Sequence, residues 1–241
     1  MAIGKAQEQV FDESKSAREK YAELVVGRPG IGALLKHETV TLWSQHVPGA
    51  LGLALRKVLY PLLLGSCGRN VIFGQNVVLR HPHKIHIGDN VMIDDNCLID
   101  AKGTSNRGIT IGSGVFIGRN SILSSKNGDI DLGARVNVGF NCEIFSASRV
   151  TIGEGTLLAA YCYVIGGDHD WSDPALSVLE QGRSSAGVSI GAGAWLGAGA
   201  KVLDGVSIGD GAVIGAGAVV KDAVPASAIA VGMPARVVGS R

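Results

Sequence analysis

Residues Ile190 to Val220 read IGAGAWLGAGAKVLDGVSIGDGAVIGAGAVV. An aliphatic residue returns at every sixth position: Ile190, Leu196, Val202, Ile208, Ile214 and Val220. Six is neither the period of two of a plain strand nor the 3.6 of a helix. It is the period of a small repeated unit, a short strand followed by a corner. The same step runs upstream through Ile87, Ile93 and Ile99, then Ile111, Ile117 and Leu123, then Leu132, Val138 and Ile144, then Ile152, Leu158 and Val164. Phe73 and Leu79 begin the series. The steps come in threes, so one turn of the structure holds three hexapeptides, and extra residues fall only between turns.

The other hexapeptide positions agree. Three places after the anchor stands Asn or Gly, as at Asn90, Asn120, Asn141, Gly155 and Gly199. These residues tolerate positive φ, which predicts a recurring tight corner. Four places after it the side chain is small or β-branched (Val91, Ser121, Thr156, Ala200), as a narrow interior demands. Cys97, Cys142 and Cys162 share this slot and read as small buried hydrophobes. The fold class is therefore mainly β: a triangular parallel β-helix, its turns stacked at the strand spacing of ~4.8 Å.

Three regions follow. Residues 1–68 lack the repeat and form an N-terminal helical segment. Its stretch GKAQEQVFDESKSAREKYAEL is helix-favouring, and a more apolar helix is expected after Pro48, interrupted at Pro61. Residues 69–225 are the repeat domain, with a loop at about 168–189. Residues 226–241 form a C-terminal cap, with Pro225 and Pro234 ending the ladder. The apolar residues 48–66 either cap the first turn or lie on a membrane surface with Arg56 and Lys57 at the headgroups.

Bulk composition narrows the function classes. Among 241 residues, 35 are glycine and 18% are charged, with a formal net charge of +1. No basic stripe stands out, so nucleic acid is not an expected partner. The four cysteines form no CxxC pair or zinc spacing, no metal is expected, and the polar start MAIGKAQEQVFDES does not read as a signal peptide. The expectation is a cytoplasmic protein, at the inner face of the membrane if the apolar segment touches lipid.

The repeat [LIV]-G-x-x-[small]-x, with IGAGAVVKDAVP and AVGMPARVV near the end, resembles the hexapeptide-repeat acyltransferases, whose β-helix is left-handed. Within them it is most similar to the sugar and polysaccharide O-acetyltransferases that include the maltose and galactoside enzymes. The resemblance covers roughly residues 70 to 241. It implies a homotrimer using acetyl-CoA as acyl donor, with a sugar hydroxyl, free or lipid-linked, as acceptor.

The break in the repeat at IGGDHDWSD (165–173) carries the implied chemistry. His169 falls at the family's distance from the anchor Val164, and AWLGAGA re-enters the helix after the loop. An imidazole titrating near pH 6.5 suits removal of a hydroxyl proton during attack on a thioester. By resemblance His169 is the general base, and the Ala198 N–H holds the oxyanion. Asp168 or Asp170 would orient the imidazole or meet the acceptor. The donor would lie along Trp195, Gly197, Ala198 and Ala216, with Lys221 and Arg236 toward its phosphates; VVKDAVP shifts the lysine by one place relative to the family, which makes Arg236 the stronger candidate. The acceptor-binding Asn and Asp of the maltose and galactoside enzymes correspond to Gly139 and Ala147 here. Both groups are absent, and Asn141 and Glu143 are the nearby replacements. No cysteine or serine is poised as a nucleophile, so transfer is direct. Competing readings are an amine acceptor, a non-catalytic scaffold, and a γ-type carbonic anhydrase using His81, His83 and His86. The last lacks that family's spacing, and these three histidines read as solvated loop residues.

Overall fold

The structure, a computed structural model, describes residues 12–241. Among these, three sheets of seven, nine and seven strands, parallel except for the last strand of the nine, form the three faces of a triangular solenoid. Each strand pairs with its counterpart one turn away: Ile109–Ile111 with Ile85–Ile87 on the first face, Leu157–Leu158 with Trp195–Leu196 on the second, Glu143–Ser146 with Tyr163–Gly166 on the third. The ladder already begins at Ser66–Cys67, where Cys67 pairs with Ile87. The anchors fill the interior; Ile93, Ile99, Ile117, Leu123, Leu158, Val164, Leu196 and Val202 have no exposed surface. Cys97, Cys142 and Cys162 lie beside them, each 1% exposed.

The corners follow the expected conformation. Asn90, Asn96, Asn120 and Asn141 have φ between 55° and 60°. Two corners break the residue rule without breaking the geometry: Arg135 (φ 56°) and Tyr161 (φ 63°) adopt the same left-handed backbone. Where the corners stack, side chains are excluded. A Cβ on Gly197 would come within 2.5 Å of the Ala216 nitrogen.

The N-terminal segment is helical, in more pieces than the sequence reading gives. Helix α1 (Ala17–Tyr21) is closed by a capping box between Ser16 and Glu19 and runs into a π-turn, Ala22–Val26. The first part of the expected first helix lies outside the described residues. Helix α2 (Ile31–Ser44) carries no sequence signal of its own, because it buries only His37, Val40 and Ser44 and its apolar pattern is weak. Helix α3 (Gly49–Leu59) starts after Pro48 as expected, and Tyr60–Leu62 is a 3₁₀ turn at Pro61.

Arg56 corrects the headgroup expectation. It is 1% exposed and donates from Nε to Phe73 O (3.0 Å) and from Nη1 to Ser44 O (2.9 Å) and Val47 O (2.8 Å). A guanidinium satisfies three carbonyls that converge where the helices meet the first turn. Lys57, Leu51, Val58 and Leu62 face outward. No helix among the described residues is long and apolar enough to cross a membrane.

At the far end the ladder does not stop at Pro225. Val224 bridges Ile208, Ala228–Val231 adds a parallel strand to Val213–Ile214, and Arg236–Ser240 folds back antiparallel. Pro225 stacks above Gly209 in the last rung of the first face, where no further turn among the described residues would take its N–H, so no ladder bond is lost; its carbonyl accepts from Ala228 N at 3.2 Å.

Candidate active site

The third-to-first-face edge is where the repeat is interrupted. Strand Tyr163–Gly166 ends there, and the chain leaves as a small hairpin in which Asp168–His169 pairs antiparallel with Arg183–Ser184. His169 lies directly across from Arg183. The loop returns through Ser185, whose Oγ donates to Gly166 O (2.9 Å) and bonds Ser148 Oγ (2.7 Å). Asp204 accepts from the Ala186 and Gly187 N–H groups, both at 2.8 Å. These bonds fix both ends of the loop, so His169 stands on a held element rather than a free strand.

His169 is half-buried, and among the described residues its ring makes no hydrogen bond. Asp168 accepts from the His169 backbone N–H at 2.7 Å rather than from its imidazole. Asp170 accepts no bond from the ring either; its N–H donates to Gly182 O at 3.1 Å. The imidazole opens onto a cavity of about 1400 Å³. One wall is the edge of the solenoid (Lys84, Lys102, Lys126, Ala147), another the loop (Leu179 to Ser185), and the third the N-terminal segment (Arg18 to Leu34). Ala147 lies in this wall beside His169.

The three upstream histidines do not converge. His81 is 6% exposed; its N–H donates to Val25 O (2.8 Å) and its Nε2 meets Glu23 O (2.9 Å). His83 packs parallel to it with ring centroids 6.2 Å apart. His86 bonds Ser66 Oγ on the first face. The expectation of solvated loop histidines is thus corrected for His81, which the π-turn covers. Burial, then Arg28, His81 and Lys84 beside it, pushes the His83 imidazole down to about 4, so it is neutral at physiological pH. Among the described residues no group of three or more His, Cys, Asp or Glu side chains is placed to hold a metal ion.

The other candidates occupy a different edge. Gly197, Ala198 and Ala216 form the corner between the second and third faces, with Tyr161 one turn below. Ala198 is exposed, and among the described residues its N–H meets no acceptor. Trp195 flanks this corner on the outside of the second face and is 49% exposed. Asn141 stands at the same edge, where its Oδ1 accepts from Asn120 Nδ2 at 3.2 Å. Glu143 is on the outer third face beside Tyr163. At the C-terminal end, Asp222 pairs with both Lys221 and Arg236 at 3.2 Å. Within one chain, then, Asp168 adjoins His169, whereas Asn141, Glu143 and the Ala198 corner do not. Tyr161 escaped the sequence reading, although an aromatic in a slot that wants Asn or Gly was its signal. Lys126 and Arg183 also escaped it.

Residues 187–222 match the family model described as bacterial transferase hexapeptide (six repeats). A probable acetyltransferase of Mycobacterium tuberculosis is 37% identical over 133 residues, 55% of this chain and 44% of that protein. Nodulation protein L of Rhizobium leguminosarum is 47% identical over 111 residues, 45% of this chain and 56% of that protein. The chain thus spans about half the length of the curated relatives it matches. Among solved structures, the N-acyltransferase AntD of Bacillus cereus, in complex with dTDP and 3-hydroxybutyryl-CoA, aligns with a TM-score of 0.57 at 20% identity. That alignment covers 82% of this chain and 90% of AntD and speaks to the fold alone.

Proposed function

We infer that this chain, a member of the hexapeptide-repeat acyltransferases, is a CoA-dependent O-acyltransferase moving an acetyl group from acetyl-CoA to a sugar hydroxyl. The observation that carries the reading is the imidazole of His169, which faces a large cavity with neither ring nitrogen engaged among the described residues. An imidazole kept free of internal partners at a cavity mouth is what proton removal from an incoming hydroxyl requires.

His169 takes the hydroxyl proton as the oxygen attacks the thioester carbonyl. The Ala198 N–H donates to the oxygen that becomes negative in the tetrahedral species. As the carbon–sulfur bond breaks, His169 returns its proton to the departing sulfur. No residue of the chain is acylated. The corner at Gly197, Ala198 and Ala216 carries no bulk beyond a methyl, so an extended pantetheine arm fits against it, flanked by Trp195. Arg236 and Lys221 lie toward the same end, where phosphates would be met.

His169 and Ala198 stand on different edges, on the order of 15–20 Å apart for a six-residue face at ~3.3 Å per residue. Both must come within about 3 Å of one reacting group. That separation supports a site shared between chains, with His169 of one protomer meeting the Ala198 corner of the next in a homotrimer.

A coupled thiol-release assay with acetyl-CoA and a panel of sugars tests the base. His169→Ala should lower kcat by about 10²–10⁴-fold while the folded signature is kept. Unchanged turnover would remove His169 from the reaction.

A further inference from the structure

We propose that the cavity beside His169 is built for an acceptor sugar carrying a diphosphate, and that Lys126 and Arg183 bind that diphosphate. The inference rests on the acyltransferase reading and names its acceptor class. The carboxylate that a neutral-sugar site of this family would place at Ala147 is missing. Ala147 stacks between Lys126 on the turn below and Gly167 on the turn above, at one ~4.8 Å rung each. Next to the place of the missing negative group the edge therefore carries a positive one. Arg183 lies opposite His169 across the hairpin, with Cβ atoms of such pairs typically ~5 Å apart.

Lys126 and Arg183 also sense each other. Burial first, then the charges of Arg183 and Lys102, lowers the Lys126 ammonium from its ordinary value. Among the described residues, neither Lys126 nor Arg183 is paired with a carboxylate. The acids in the cavity wall are already committed. Glu19 caps Ser16, Glu23 pairs with Lys15 at 2.5 Å, and Glu180 accepts from the Ser177 N–H and Oγ at 3.0 and 2.8 Å. The cavity wall carries Arg18, Arg28, Lys84, Lys102, Lys126 and Arg183 against Glu19, Glu23 and Glu180, and a bound dianion offsets that excess of positive charge.

Position separates this site from the donor's phosphates. Lys126 comes from a turn before His169, whereas Ala198, Ala216 and Arg236 come from turns after it. The cavity, at about 1400 Å³, also exceeds the ~300–1,000 Å³ of ordinary small-molecule pockets and has room for a sugar with its diphosphate. Lys126 and Arg183 do not touch the reacting atoms; they set where the hydroxyl sits relative to His169.

Calorimetric titration of the full chain with inorganic pyrophosphate, in saturating CoA, tests the site. Binding should persist with CoA present, weaken with salt, and fall about tenfold or more in Lys126→Gln and again in Arg183→Gln, with partial recovery in Lys126→Arg. Absence of binding, or its complete displacement by CoA, overturns the proposal. In the transfer assay, matched sugars are offered free, as a nucleoside-diphosphate sugar and as a polyprenyl-diphosphate sugar. Preference for either diphosphate form supports the proposal and identifies its source. Equal use of the free sugar, or preference for a uronic acid lacking phosphate, overturns it and leaves the acyltransferase reading intact. Pyrophosphate binding with no transfer to any acceptor would instead remove the acyltransferase reading and keep the anion site.

Discussion

At the scale of single residues, the Ala198 corner offers a substitution that removes one hydrogen and little else. Ala200 N donates back to Gly197 O at 3.1 Å, and Gly199 has φ 72°. That is a type II turn with Ala198 at its second position, where proline is favoured. Among the described residues the Ala198 N–H makes no bond, so Ala198→Pro should keep the thermal midpoint. It should lower kcat by about 10²–10³-fold, the effect of losing one oxyanion donor. Steady-state kinetics beside a melting curve would check both halves. The anchors, the interior slots and the corners that carry Asn or Gly are legible in the sequence because each recurs at a fixed place in the hexapeptide; the corners at Arg135 and Tyr161 lack that residue signal. Arg183 and Lys126 were not. They are 57 residues apart in the chain, and only the stacking of turns together with the fold-back of the hairpin puts them in one cavity.

At the scale of elements, the helical segment and the first turn are joined through a charged side chain rather than by apolar packing alone. Arg56 gives its hydrogens to carbonyls from the end of α2, from the turn at Val47 and from the strand at Phe73. Arg56→Ala would leave these carbonyls buried without donors, a loss of about 3 kcal/mol or more at the joint. The solenoid, whose turns mainly contact their neighbours, should survive. Limited proteolysis should therefore cut the variant within residues 12–66 while the β-rich remainder persists; uniform degradation would count against a separable joint. The helix after Pro48 was readable from its proline and apolar run. The role of Arg56 was not, because a charge in an amphipathic stretch reads as an outward one until its three acceptors are seen.

At the scale of the whole molecule, the proposed base and the proposed oxyanion donor are on different edges, so under the shared-site proposal each variant would retain half of a complete site. Co-expression of His169→Ala with Ala198→Pro should yield mixed trimers in which some sites pair an intact His169 with an intact Ala198. Activity in that mixture well above either parent is the expected result, measured per trimer after tagging each form. Activity no higher than the parents would place both groups in one protomer's site. The fold class was plain in the sequence because the period repeats for most of its length. A site shared between copies is expected from the narrowness of the solenoid and the resemblance to a trimeric family, not from any one hexapeptide, since no hexapeptide carries information about a neighbouring copy. The last strand, Arg236–Ser240, bears on a different hazard. A stack of parallel rungs offers its terminal rung as a template on which another molecule could continue the spiral indefinitely. By reversing direction at that rung, the chain covers the parallel edge of the second face, which blunts the one of the three edges it reaches as a template for end-to-end growth.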